Sequence, residues 1–174
     1  TVPARGSLKE WGITYREVAM DHRGINWDAV RDAITPQTRV VLIQRSRGYC
    51  ITRPTLTVSE VETICLFIKK IKSDCICFID NCYGEFVETL EPTACGADIM
   101  AGSLIKNPGG GLVPAGGYIA GKRELVDMAS YRLTAPGIGS HVGASLSDTR
   151  LLYQGIFQAP HVVAQALKGA IFAA

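Results

Sequence analysis

The stretch from residue 39 to residue 79 constrains the fold more than any other part of the chain, because it has the pattern strand, helix, strand. Apolar runs at 39–44 and 75–79 are short and continuous, which predicts strands buried on both faces, as in a parallel sheet. Between them, Thr57 and Glu60 form a capping-box pattern at the start of a helix. An apolar stripe follows at helical spacing: Val58, Val61, Ile64, Cys65, Ile68 and Ile71. The stretch therefore predicts a β-α-β unit.

Weaker patterns extend this alternation in both directions. Asn26 is a candidate cap for a short helix, and residues after Arg132 are rich in small residues, which predicts a loop and then a helix. Further strands are predicted at 12–20, 98–105 and 116–120, and a further helix at 122–131. The 174 residues are enough for one domain. We expect an α/β fold, a mainly parallel sheet with helices on both faces.

Composition excludes several classes of protein. A net charge of +2 gives no support for nucleic-acid binding, and no apolar run approaches the roughly 18 residues of a membrane helix. The six cysteines are irregularly spaced, which favours buried free thiols in a reducing compartment, hence the cytoplasm. Glu85, Glu88 and Glu91 have no histidine partner and are interpreted as surface residues, so no metal is expected. The chain has no initiator Met and ends in an uncapped apolar helix, so we expect a fragment of a longer protein.

Two segments carry residues suited to chemistry. Asp80 directly follows a predicted strand, where ligands of α/β sheets bind, although a turn cap is the alternative. Lys106 ends another apolar segment and precedes three glycines, which allow positive φ and close approach of the backbone to a ligand. Partial burial would lower the pKa of such a lysine and make it a nucleophile toward aldehydes; a lysine extending from a strand end is the alternative.

Together the two residues indicate pyridoxal 5′-phosphate (PLP). This cofactor needs a lysine for its Schiff base and an acid against its pyridine nitrogen. Asp80 and Lys106 follow successive predicted strands and are therefore expected at one edge of the sheet. The Ser103 hydroxyl is a candidate phosphate donor. The glycines are not a nucleotide-binding P-loop, because no Gly-Lys-Ser/Thr occurs.

The motifs Asp-Asn-Cys-Tyr-Gly-Glu-Phe at 80–86 and Ser-Leu-Ile-Lys-Asn-Pro-Gly-Gly-Gly at 103–111 resemble the methionine gamma-lyase-like, or aluminium-resistance, family. Segments 43–49, 131–139 and 153–155 share the resemblance, which covers nearly the whole chain. It implies the large domain of the PLP-dependent aspartate-aminotransferase fold (fold type I). Members are roughly twice this length. Residues 1–174 would then be the central part of that domain, without its N-terminal and C-terminal parts.

The resemblance assigns roles to individual residues. Lys106 matches the Schiff-base lysine, Asp80 the acid at the pyridine nitrogen, and Ser103 a phosphate-binding hydroxyl. Asn81 and Tyr83 are close enough in sequence to contact the cofactor. The related enzymes usually carry a second hydroxyl just before the lysine, where this chain has Ile105, which puts one phosphate contact in doubt.

The implied activity is that of a lyase on a sulfur-containing amino acid, with Lys106 moving protons at Cα and Cβ. Arg45 and Arg132 are candidates for the substrate carboxylate, but structural or solvated roles are favoured for both. Open alternatives are another PLP reaction (transamination, racemisation or aldol cleavage), a cofactor-free lysine aldolase, and an inactive fragment. A homodimer or homotetramer is implied by the resemblance.

Overall fold

The computed structural model describes residues 5–21, 24–143 and 149–174. Within these ranges the main sheet has four strands, whose order in space follows their order in the sequence. These strands are β3 (Val40–Gln44), β4 (Ile76–Asp80), β5 (Ile99–Ser103) and β6 (Gly117–Gly121). β3, β4 and β5 are parallel, and β6 is antiparallel to β5. A short antiparallel pair, β1 (Met20–Asp21) and β2 (Gly24–Ile25), lies outside this sheet. The predicted mainly parallel α/β fold is confirmed.

Four α-helices accompany the strands in the described part of the chain. They are α1 (Trp27–Ala33), α2 (Val58–Ile71), α3 (Arg123–Leu133) and α4 (Thr149–Ala173), with 3-10 helices at Leu8–Trp11, Pro92–Ala94 and Asn107–Gly109. Both predicted caps are confirmed: Asn26 accepts from the amide of Ala29, and Thr57 and Glu60 form the full capping box. No helix in the described ranges is both long enough and apolar enough to cross a bilayer.

The core lies between α2 and the sheet. The stripe of α2, except for the exposed Ile71, packs with inward residues of β3 and β4, among them Ile43, Cys77 and Ile79. Burying this stripe stabilises the β-α-β unit, since each fully buried aliphatic side chain contributes about 1.5–3 kcal/mol. The expectation that β3 is buried on both faces was wrong, because Val40 and Leu42 are exposed at the edge of the described sheet.

One other prediction about an element was wrong. Residues 12–19 form no strand; they follow the 3-10 helix Leu8–Trp11, which is capped by Gly12 with φ 74°. The connection from β4 to β5, for which no helix was predicted, contains turns and the 3-10 helix Pro92–Ala94. The predicted loop after Arg132 includes residues 144–148, which lie outside the described part of the chain. Four of the six free cysteines are buried as expected, whereas Cys50 is exposed and Cys82 half-buried.

The glycines after Lys106 position helix α4. Gly110 has φ 54° and Gly111 has φ 78°, which confirms the predicted left-handed backbone. The backbone here closely approaches helix α4. A Cβ on Gly110 would lie 2.6 Å from the carbonyl oxygen of Gly155, and a Cβ on Gly155 would lie 2.6 Å from the carbonyl oxygen of Gly109. Helix α4 is thereby seated on the segment that carries the lysine.

Candidate active site

A cleft of about 1130 Å³ opens at the carboxyl ends of β3 and β4. Asp80 is the last residue of β4, and Lys106 lies three residues beyond the end of β5, so the parallel arrangement brings both to this edge. Both line the cleft, as does Tyr83. Asn81 and Ser103 are not among its lining residues. The sequence predicted the shared edge correctly.

Lys106 is half-buried and lies in a cation-stabilising environment. A hydrogen bond with the Cys82 side chain is the main cause that raises the pKa of Lys106, and burial only partly opposes it. The ammonium also lies over the ring of Tyr83, with Nζ 4.6 Å from the centroid. The expectation of a lowered lysine pKa was therefore wrong: burial acts in that direction, but the thiol, the ring and the negative charge of Asp80 outweigh it.

Asp80 is fixed by the turn that follows it. Its Oδ1 accepts a hydrogen bond of 3.1 Å from the amide of Cys82, two residues on. The Cys82 side chain also hydrogen-bonds Asp80 and Lys106, while burial raises the pKa of this thiol and keeps it protonated near neutral pH. Cys82 was missed as a site residue, because irregular cysteine spacing carries no signal of its own. Its place between Asp80 and Tyr83 was the available clue.

Arg45 stabilises the turn that follows Asp80. Its side chain is buried, with Nε donating to the carbonyl of Leu56 at 3.1 Å and Nη1 donating to Oδ1 of Asn81 at 2.9 Å. Nη2 forms an ion pair with Glu88. The turn approaches so closely that a Cβ on Gly84 would lie 2.2 Å from Nη1 of Arg45. With all three nitrogens engaged, Arg45 has the structural role favoured from the sequence.

Asn81 is fully buried and belongs to the same polar cluster. Beyond Arg45, its Nδ2 donates to Glu91 at 2.8 Å and to the Tyr118 hydroxyl at 3.3 Å. These partners use both hydrogens of the amide and one lone pair of its oxygen, which favours a supporting role over direct cofactor contact. Ser103 is half-buried at the end of β5. Its assignment to the cofactor phosphate stays a prediction.

The interpretation of the three glutamates as surface residues was wrong for Glu85, which is buried, whereas Glu88 is exposed and Glu91 is half-buried. Glu85 is 4% exposed and accepts from Tyr118, Glu88 pairs with Arg45, and Glu91 holds Asn81. Their spacing gave no sign of the contact between Glu88 and the buried Arg45, which lie 43 residues apart in the sequence. No metal-binding group of three or more acid, cysteine or histidine side chains occurs among the described residues.

The remaining candidate arginine lies outside the cleft. Arg132 is exposed on α3, with its guanidinium carbon 4.9 Å from the ring centroid of Trp11. Its position supports the surface interpretation. Of the arginines that line the cleft, Arg53 is bound to the backbone and side chain of Gln44, and Arg47 is exposed.

The fold and the cleft together define a class: an α/β domain with a lysine and an acid at the carboxyl edge of a parallel sheet. The chain belongs to the methionine gamma-lyase family, whose profile matches residues 2–174. It is 55% identical over 170 residues to the uncharacterised protein YnbB of Bacillus subtilis strain 168, covering 97% of this chain and 40% of that protein.

Solved structures of similar proteins agree with this family. One from Listeria monocytogenes, described as a candidate cystathionine beta-lyase involved in aluminum resistance, is 53% identical with a TM-score of 0.91 over 96% of this chain and 41% of that one. One from Clostridium novyi NT, described as a carbon-sulfur lyase involved in aluminum resistance, is 46% identical with a TM-score of 0.88, covering 97% of this chain and 40% of that one. The chain thus spans about two fifths of the length of these relatives.

Proposed function

We propose that the natural polypeptide containing this chain is a PLP-dependent carbon–sulfur lyase acting on a sulfur-containing amino acid. The observation that carries the proposal is the placement of Lys106 and Asp80 in the wall of one cleft, at the edge where parallel strands end. Family membership and the carbon–sulfur lyase descriptions of similar structures support the reaction class.

The residues present fit this cofactor. Lys106 offers the primary amine that would hold the aldehyde carbon, and Asp80 offers a carboxylate that would pair with the pyridine nitrogen. The cleft volume of about 1130 Å³ is slightly above the usual range for small-molecule sites, roughly 300–1,000 Å³, and is large enough for a cofactor of this size. PLP, when bound, supplies an electron sink for negative charge that develops at the substrate α-carbon.

Each residue has a defined task in such a site. Nζ of Lys106 moves protons at the α- and β-carbons of the substrate, which general acid–base catalysis requires. Asp80 keeps the ring nitrogen protonated by charge pairing. Tyr83 presents its ring to the lysine ammonium and limits where Nζ can move. We also propose that the Ser103 hydroxyl binds the cofactor phosphate and that the protein assembles as a homodimer or homotetramer. A cytoplasmic location is proposed because it suits six free cysteines.

The first experiment records the visible spectrum of the intact natural polypeptide after incubation with PLP, before and after borohydride reduction. A yellow protein that loses its colour on reduction and carries the cofactor on Lys106 in peptide mass spectrometry is the expected result. Cystathionine and methionine are then tested as substrates, with free thiol, 2-oxo acid and ammonia measured together, since lyase chemistry releases all three. A colourless protein without a lysine adduct would overturn the proposal, and amino-group transfer without thiol release would overturn its reaction class.

A further inference from the structure

The turn that follows Asp80 is strained. Tyr83 has φ 68° and Phe86 has φ 62°, in a region that side chains other than glycine rarely occupy. Such strain persists only where surrounding contacts over-determine the backbone. Here the amide of Gly84 donates to the carbonyl of Asn81 at 2.8 Å, and the amide of Phe86 donates to Glu91 at 3.1 Å. The conformation places the Tyr83 ring beside Lys106.

Glu85 connects this turn to the sheet beneath it. Its Oε1 accepts a hydrogen bond of 2.8 Å from the hydroxyl of Tyr118, which lies on β6. Gly102 of β5 makes the space, since a Cβ there would lie 2.3 Å from Oε1 of Glu85. The other oxygen, Oε2, is buried with no hydrogen-bond partner in the described part of the chain. A buried polar atom left unpaired is costly, so a stability role alone explains the arrangement poorly.

Glu85 also holds the lysine segment. Its backbone carbonyl accepts a hydrogen bond of 3.0 Å from Nδ2 of Asn107, the residue directly after Lys106. One residue therefore contacts the turn that carries Asp80, the β6 strand, and the segment that carries the lysine. These contacts leave the two functional side chains little freedom to move relative to each other.

We infer that Glu85, Asn107 and Tyr118 form a positioning node that sets the placement of Lys106 relative to Asp80 and Cys82. The inference rests on the proposed function for its catalytic meaning, but its geometry is a property of the protein alone. Hydrogen bonds from Asn107 and Tyr118 converge on Glu85 from two sides. Loss of the Asn107 bond frees the lysine segment from the turn, and loss of the Tyr118 bond frees the Glu85 side chain from β6. Neither change removes a group assigned to contact with substrate.

The test compares Asn107→Ala and Tyr118→Phe with the wild type in the intact natural polypeptide. The first readout is the pH profile of Lys106 acylation by acetic anhydride without added PLP, followed by peptide mass spectrometry. In the wild type, contacts with Cys82 and Tyr83 raise the pKa of Lys106, so its acylation requires a higher pH than that of an ordinary lysine. Both variants are expected to move the profile toward that of an ordinary lysine. Tyr15→Phe is the matched control, because it removes the hydroxyl of an exposed tyrosine that is distant in sequence from Glu85, Asn107 and Tyr118.

The second readout is the kinetics of the PLP-loaded protein. Displacement of a catalytic group by about 1 Å costs on the order of 100-fold in rate, so kcat is expected to fall about 10- to 100-fold with little change in KM. Asn107→Gln restores an amide donor and is expected to recover part of the loss. Acylation profiles that coincide with the wild type in both variants would overturn the node. A wild type that binds no PLP, yet whose Lys106 profile shifts in the variants, would refute the proposed function and leave the node standing.

Discussion

The two ends of the sheet use the same residue types for opposite purposes. At the amino end of β5, Asp98 is buried and accepts hydrogen bonds of 2.7 Å from Lys69, Lys122 and the amide of Cys77. At the carboxyl end, Asp80 and Lys106 line an open cleft, with the Lys106 ammonium near a thiol and an aromatic ring. The first acid has its hydrogen-bonding capacity satisfied by protein, whereas the second retains access to a ligand.

This difference teaches that the number of protein partners, and not the residue type, separates a structural carboxylate from one that is open to a ligand. Burial alone would raise the pKa of Asp98, but hydrogen bonds from Lys122 and Lys69 hold it below the ordinary value. Such an acid is locked in its charged form, which stabilises the fold but leaves it no proton to exchange. The predictions below test whether function and stability divide between the two ends.

The largest expected effect follows from Lys106→Ala. Because covalent attachment of the cofactor requires an amine at this position, lyase activity is expected to fall by at least about 10³-fold. Borohydride should no longer fix PLP to the protein. Lys122→Ala is the matched control, since it removes a lysine from the opposite end of the sheet and should leave cofactor attachment intact. Attachment that persists in Lys106→Ala, mapped to another lysine, would contradict the assignment.

The next effect is that of Asp80→Asn. The amide keeps the shape of the side chain but removes the charge that pairs with a protonated ring nitrogen, so activity should fall about 10²- to 10³-fold while PLP stays bound. Rates are to be measured at saturating PLP, with far-ultraviolet circular dichroism as a check on folding. Asp98→Asn, normalised to folded protein, should retain its rate. Equal losses in both variants would show that the two ends are not functionally distinct.

Stability should respond in the opposite order. Removing Asp98 leaves two lysines and a backbone amide without their acceptor. Breaking a fully buried pair costs about 3–5 kcal/mol, and we expect a cost at the low end of this range because both lysines are partly exposed to water. We expect Asp98→Ala to lower the free energy of unfolding by about 3 kcal/mol in urea titrations. Asp80→Ala, at the open cleft, should lower it by less than about 1 kcal/mol.

The same carboxylate predicts how stability depends on pH. Because the folded-state pKa of Asp98 is lowered, its contribution is complete above the unfolded value of about 3.9 and is lost as pH falls through the folded pKa. The urea midpoint of the wild type should therefore decrease below about pH 4, and Asp98→Asn should show a shallower decrease. An unchanged acid limb in the variant would assign acid unfolding to other groups.

Much of the fold and part of the site could be predicted from sequence, because both depend on local patterns. The capping box at Thr57, the cap at Asn26 and the β-α-β core follow from spacing and propensity. The shared edge of Asp80 and Lys106 follows from the direction of parallel strands. These features need no knowledge of distant contacts.

The missed features depend on contacts between distant segments. Arg45 meets Asn81 across 36 residues, and Tyr118 meets Glu85 across 33, so neither contact leaves a local pattern. The predicted direction of the Lys106 pKa shift was wrong for the same reason, since the shift depends on which groups the turn places beside the ammonium. A sequence shows that a lysine ends a strand, but its surroundings decide its charge.

The smallest predicted effect tests that surrounding directly. The hydrogen bond with Cys82 is the main cause that raises the pKa of Lys106, so Cys82→Ala should lower that pKa. Only the unprotonated amine attacks an aldehyde. A raised pKa of Lys106 therefore means that a higher pH is needed for the lysine to react with PLP. The pH midpoint of the capture rate, followed by absorbance, should shift downward in Cys82→Ala.

Cys50→Ala removes an exposed thiol from the wall of the same cleft and is expected to leave the midpoint unchanged. A midpoint that stays in place in Cys82→Ala as well would assign the stabilisation of the ammonium to the Tyr83 ring, 4.6 Å away, and to the charge of Asp80. In that case Tyr83→Leu should lower the midpoint, because an aliphatic side chain has no negative π face for a cation. The pair of variants thus determines which part of the turn sets the reactivity of the lysine.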